Sequence, residues 1–189
     1  MAEILLFHHA QGLTPGVHAF ADRLRSAGHT VHTPDLFDGR TFGDVESGVA
    51  HAQQLGFGQV FARGVAAADE LPTELVYAGF SMGVMPAQKL TQTRLGAVGA
   101  LFYDSCLPVS EFGEWPDGVP VQIHGGTDDE WFAEDLEAAR ALADSTPAAE
   151  LFLYSGTAHL FADSSLDAYD PAAAELVLER TLSFLENLS

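Results

Sequence analysis

Positive charge is scarce in this chain of 189 residues: lysine occurs once, at Lys89, and 8 Lys and Arg face 27 Asp and Glu. The formal net charge of −19 repels phosphate backbones and anionic lipid, so neither nucleic acid nor a membrane surface is an expected partner. Cysteine also occurs once, at Cys106, which excludes an internal disulfide and a cysteine-rich zinc site. Long hydrophobic runs are missing, so no transmembrane helix is expected. The start Met1-Ala2-Glu3 lacks the basic region of a signal peptide, and a cytoplasmic location is the resulting expectation. Dinucleotide, Walker A and H-E-x-x-H motifs do not occur, which leaves nucleotide and zinc readings unsupported. His8 and His9 are adjacent and would face opposite sides of a strand, so they cannot pair on a metal. No cofactor and no metal are expected.

What is present suits a globular fold, with 47% hydrophobic residues and a length that fits one domain over 1–189. Short apolar runs predict strands at 3–8, 30–33, 75–78, 97–103, 119–123 and 151–154. Between them, helices are expected over 15–27, 44–55, 59–70, 84–92, 130–143 and 171–188. The alternation predicts an α/β architecture, a mostly parallel central sheet with helices on both faces. Ligands of such sheets bind beyond the carboxyl ends of the strands.

Gly79-Phe80-Ser81-Met82-Gly83 fits the G-x-S-x-G pattern between a strand and a helix. The turn is so tight that the serine backbone is strained, and flanking glycines make room for neighbouring chain. A serine there stands at a helix N-terminus, where the Met82 N–H can receive a developing oxyanion. An activated serine needs a base, and the base an orienting acid, in the chain order Ser, acid, His. Two histidines follow Ser81. His159 lies in a loop after the last strand and is the candidate base, whereas His124 lies in a strand end and packs there. The acid should follow the strand ending at Ile123, which leaves Asp128, Asp129 and Glu130, with Asp128 the first choice. Helix N-capping is the plain alternative for all three. His9, Gln11, Asp104, Trp131 and Asp163 are candidates to line the pocket. Trp115 would flank the same face, and Cys106, which has no such turn, reads as a packing residue.

Pro34-Asp35-Leu36-Phe37, the glycine–serine turn, His124-Gly125-Gly126-Thr127-Asp128 and Gly156-Thr157-Ala158-His159-Leu160-Phe161 together resemble the dienelactone hydrolase family of the α/β-hydrolase fold. The resemblance implies that fold, with a reduced N-terminal part and no large lid. It implies Ser81, Asp128 and His159 as the catalytic set, and Ala10 N–H as the second oxyanion donor beside Met82. Members named for the lactone reaction carry cysteine where Ser81 stands, glutamate where His9 falls, and arginine where Asp163 falls. The expected activity is cleavage of a small-molecule ester, lactone or thioester through an acyl-enzyme. A small-molecule binding protein with negligible turnover and an acyltransferase are the alternatives. Assembly as a homodimer is left open.

Overall fold

The computed structural model describes residues 1–188. Six strands, β1 (Glu3–Phe7), β2 (Thr30–His32), β3 (Leu75–Phe80), β4 (Ala97–Tyr103), β5 (Val121–Gly126) and β6 (Ala149–Tyr154), form one sheet in the order β2-β1-β3-β4-β5-β6. Every neighbouring pair is parallel. Six helices connect them: α1 (Pro15–Ser26), α2 (Val45–Leu55), α3 (Phe57–Ala66), α4 (Val84–Thr93), α5 (Glu130–Ser145) and α6 (Pro171–Asn187). This is the parallel α/β architecture that the strand–helix alternation predicts, and it is the α/β-hydrolase arrangement that the family resemblance implies. Among the described residues, no helix is long and apolar enough to cross a membrane.

Strand residues alternate between two apolar layers. Ile4, Leu6, Val76, Ala78, Leu101 and Tyr103 pack with Val17 and Leu24 of α1 and Val177 and Leu185 of α6. Leu5, Phe7, Tyr77, Ala100, Phe102 and Ile123 pack on the opposite face with Val60, Ala87, Leu90, Phe132 and Leu142. Each Val, Leu, Ile or Phe among them contributes about 1.5–3 kcal/mol when fully buried, so both faces must stay covered. Strands buried on both faces are the reason their sequence reads as continuous apolar runs.

Helix starts follow local chemistry. Thr14 accepts from Val17 N–H with Pro15 at the first helical position. Asp44 caps α2, and Asp170 caps α6 with Pro171 behind it. Several boundaries shift from the sequence reading, the ends of α3 and β5 the most. Gly56, at φ 89°, ends α2, and α3 begins at once and stops at Ala66 rather than 70. β5 runs on past Ile123 through Gly126, paired with β6 as far as Gly126 and Tyr154. Gly125 permits this, because a Cβ there would overlap the Phe132 ring.

Candidate active site

Phe7 is in register with Gly79, so the loops that leave β1 and β3 emerge side by side. Gly83 lies so close to the first of these that a Cβ would strike the carbonyls of Phe7 and His8. Gly79 is pressed equally hard against Gly83. Between the two glycines, Ser81 holds a left-handed φ of 47° and opens a 3-10 turn, Ser81–Gly83, that leads into α4. A non-glycine residue pays for that conformation, and the crowding on both sides enforces it.

His159 comes from the loop after β6, and Asp129 from the turn after β5. The Ser81 hydroxyl lies 2.8 Å from His159 Nε2, and His159 Nδ1 lies 2.7 Å from Asp129 Oδ2. A carboxylate only accepts, so Nδ1–H donates to Asp129 and Nε2 is left to accept from Ser81 Oγ–H. The Asp129 side chain is fully enclosed and that of His159 is 8% exposed. Asp129 Oδ1 also accepts from the Trp131 and Phe132 N–H groups, capping α5. Capping and orientation therefore share one carboxylate.

This arrangement corrects the first choice of acid. Asp128 is exposed and makes no bond to His159; its carboxylate accepts only from Thr127 Oγ1, at 3.3 Å. The cause is the longer β5. Thr127 N–H still donates to Tyr154 O, and Asp128 N–H to Thr157 O, so the chain turns back over the sheet one residue later. The informative signal was the helix start itself, an Asp immediately before the α5 periodicity.

Of the pocket candidates, Trp131 is open to solvent and its ring centroid lies 6.0 Å from that of His159. The other four lie beneath the surface. His9 is fully buried; its Nε2–H donates to Asp163 Oδ2 at 2.8 Å, and its Nδ1 accepts from Gln11 N–H at 3.2 Å. Asp163 accepts further from Thr14 Oγ1, Ser165 N–H and Ser165 Oγ–H. These contacts explain why it cannot face a substrate. Burial alone would raise its pKa, but the hydrogen bonds from His9, Ser165 and Thr14 hold it below the usual carboxylate range. Thr14 and Ser165 had no mark in the sequence as partners of Asp163. Gln11 ties the same loop to Phe42 through its side chain and its backbone carbonyl. Asp104 is enclosed beside His159 and Asp129.

His8 takes the opposite tautomer from His9. Its Nδ1–H donates to His9 O at 2.7 Å and its Nε2 accepts from Leu36 N–H at 2.9 Å. Burial is the main cause that brings its pKa down to about 4. Ala10 sits in the loop these two histidines fix, and its carbonyl packs against Gly48, where a Cβ would collide. His124 is buried and bonds Tyr154 Oη at 2.8 Å, a packing role as expected. Cys106 is buried, and burial raises its thiol to about 12, which leaves it inert. Trp115 packs edge-on to Phe102 and donates to Val119 O before β5, away from the triad.

The sequence profile of the dienelactone hydrolase family matches residues 2–189. No curated protein sequence matches the chain. Solved structures do. A dienelactone hydrolase-like promiscuous phosphotriesterase from metagenomic libraries superposes with a TM-score of 0.75 at 17% identity, over 100% of this chain and 87% of that one. A dienelactone hydrolase from Anabaena variabilis gives 0.70 at 16% identity, over 99% and 86%. Thermogutta terrifontis esterase 2, phosphonylated by cyclosarin, gives 0.67 at 20% identity, over 100% and 83%. At these identities the likeness concerns the fold.

Proposed function

The chain belongs to the dienelactone hydrolase family, and from that premise we propose that it is a serine hydrolase that cleaves a small ester, lactone or thioester through an acyl-enzyme on Ser81. The observation that carries this reading is the continuous hydrogen-bond chain from Ser81 Oγ through His159 to Asp129, at 2.8 and 2.7 Å. A packing serine needs no such base behind it. As Ser81 Oγ attacks the carbonyl carbon, His159 Nε2 takes its proton and Asp129 stabilises the imidazolium. The oxyanion is received by the N–H groups of Met82 and Ala10, one at the start of the α4 turn and one on the loop that His8 and His9 hold. His159 then protonates the leaving alcohol or thiol. Water attacks the acyl-enzyme in the second half, with the same proton path reversed.

An apolar recess begins at Met82 and is lined by Leu36, Phe57, Phe61, Met85 and Pro86. It has room for no more than a water-sized group, so it forms an apolar edge of the site and not an acyl pocket. Arg63 nearby is engaged with Asp38 and Leu36 O, and position 163 offers no arginine, so a neutral substrate fits better than a carboxylate-bearing one. The phosphonylated Thermogutta esterase and the promiscuous phosphotriesterase show that two relatives by fold react with or act on organophosphorus esters. The test is a panel of p-nitrophenyl esters and lactones with wild type and Ser81→Ala. Turnover of a short neutral ester that is lost in the variant supports the reading; equal rates for both proteins overturn it.

A further inference from the structure

Asp104 leaves β4 at the end of the sheet where Ser81 and Asp129 stand, with a left-handed φ of 59°. Its N–H donates to His124 O at 2.8 Å, and its carboxylate has no side-chain partner, only the Leu160 backbone facing it. The residue is 2% exposed, and neither carboxylate oxygen makes a well-formed hydrogen bond, the Leu160 backbone being the donor nearest to one. Among the described residues, no other carboxylate is buried and unpartnered in this way. Buried carboxylates are otherwise paired or bonded, as Asp129 and Asp163 are, because an unpaired one is costly to desolvate. The charged and titratable groups that act on Asp104 are His159, Asp129 and Tyr154, with the Leu160 backbone adjacent. Tyr154 Oη is itself held by His124, and Arg180 lies over the Phe152 and Tyr154 rings.

We propose that Asp104 is a second positioning carboxylate for His159, whose negative charge adds to that of Asp129 when the imidazolium forms. The inference rests on the acyl-enzyme reading above. Its logic is electrostatic. While His159 is neutral, burial and the Asp129 charge both favour a protonated Asp104; a positive His159 favours the ionised form. Burial is the largest effect and brings the Asp104 pKa up to about 7, so its charge changes near neutrality, next to the group that must carry a transient positive charge. An Asp129 that lost its charge would leave Asp104 as the remaining anion beside His159.

The test is kcat/KM for p-nitrophenyl acetate against pH, for wild type, Asp104→Asn, Asp129→Asn and the double variant. Asp104→Asn should move the rising limb to lower pH by about one unit and lower the plateau about tenfold, since one unit is a tenfold change in stabilisation of the charged form. Asp129→Asn should keep a residual activity that grows as pH rises through about 7, and the double variant should lose it. An unmoved limb in Asp104→Asn, with Asp129→Asn and the double variant equal at every pH, overturns the proposal. Should Asp104→Asn fail to fold, Asp129→Asn alone decides: activity no higher than that of Ser81→Ala at any pH overturns it. Failure of the underlying reading looks different, because wild type itself would then be no faster than Ser81→Ala.

Discussion

Two buried histidine–aspartate pairs stand at the same end of the sheet, one in the loop after β6 and the other in the loop after β1. His159 and Asp129 are 2.7 Å apart, and His9 and Asp163 are 2.8 Å apart. They differ in what the other imidazole nitrogen meets. For His159 that partner is the Ser81 hydroxyl, with the ring partly open to solvent; for His9 it is the Gln11 backbone N–H, with the ring fully enclosed. A His–Asp pair is therefore a device for fixing a ring. Whether it serves chemistry or architecture depends on the third partner and on access. The His9 pair pins the loop that carries Ala10, and so serves the first pair by holding one of its proposed oxyanion donors in place.

The comparison can be broken from either side. Ser81→Ala or His159→Ala should lower kcat/KM by at least about 10⁴-fold, with the double variant little worse than either single one. Thermal denaturation should place both variants close to wild type. Asp129→Asn should cost about 10³-fold at pH 6, yet leave stability nearly intact, because the amide oxygen still caps α5. His9→Ala should behave inversely. It removes one of the four hydrogen bonds to the buried Asp163 carboxylate, which costs about 1.5–3 kcal/mol against the 5–15 kcal/mol typical of a whole domain. Urea unfolding would measure that loss directly. Asp163→Arg should not accumulate as folded protein at all, since the carboxylate is packed so tightly against Gly16 that even a Cβ on the glycine would overlap it.

Smaller effects sharpen the contrast. The folded-state pKa of His8 is depressed to about 4 from 6.5, so the unfolded chain binds a proton first as pH falls. Its contribution to stability is complete above about pH 6.5 and is lost between there and about pH 4. Asp163, whose folded pKa is also depressed, should keep its contribution until pH falls below about 4. Unfolding free energies of His8→Gln and Asp163→Asn against pH would separate the two windows. Asp128→Asn should change turnover less than about twofold, because this exposed side chain touches neither His159 nor Asp129.

Most of the fold and two members of the Ser81–His159–Asp129 hydrogen-bond chain were legible because local chemistry announces them. The glycines around Ser81 are dictated by backbone crowding, and the strand–helix alternation reports burial on both sheet faces. His159 followed from chain order and its loop. Asp128 and Asp129 could not be separated, because the choice turns on how far β5 stays paired with β6, which is a tertiary fact. The same holds for the residues read as pocket lining. Polar side chains at strand ends look alike in sequence, whether they face a ligand or a partner 149 positions away, as Thr14 and Asp163 do.

The central claim is that His159, held by Asp129, activates Ser81 as a nucleophile. Reaction with a fluorophosphonate probe, followed by intact mass and peptide mapping, tests it most directly, because only an activated hydroxyl reacts. The account predicts one adduct per chain, located on Ser81, abolished in Ser81→Ala and slowed by orders of magnitude in His159→Ala. Unlabelled wild-type protein, or an adduct that forms equally fast without His159, would contradict it.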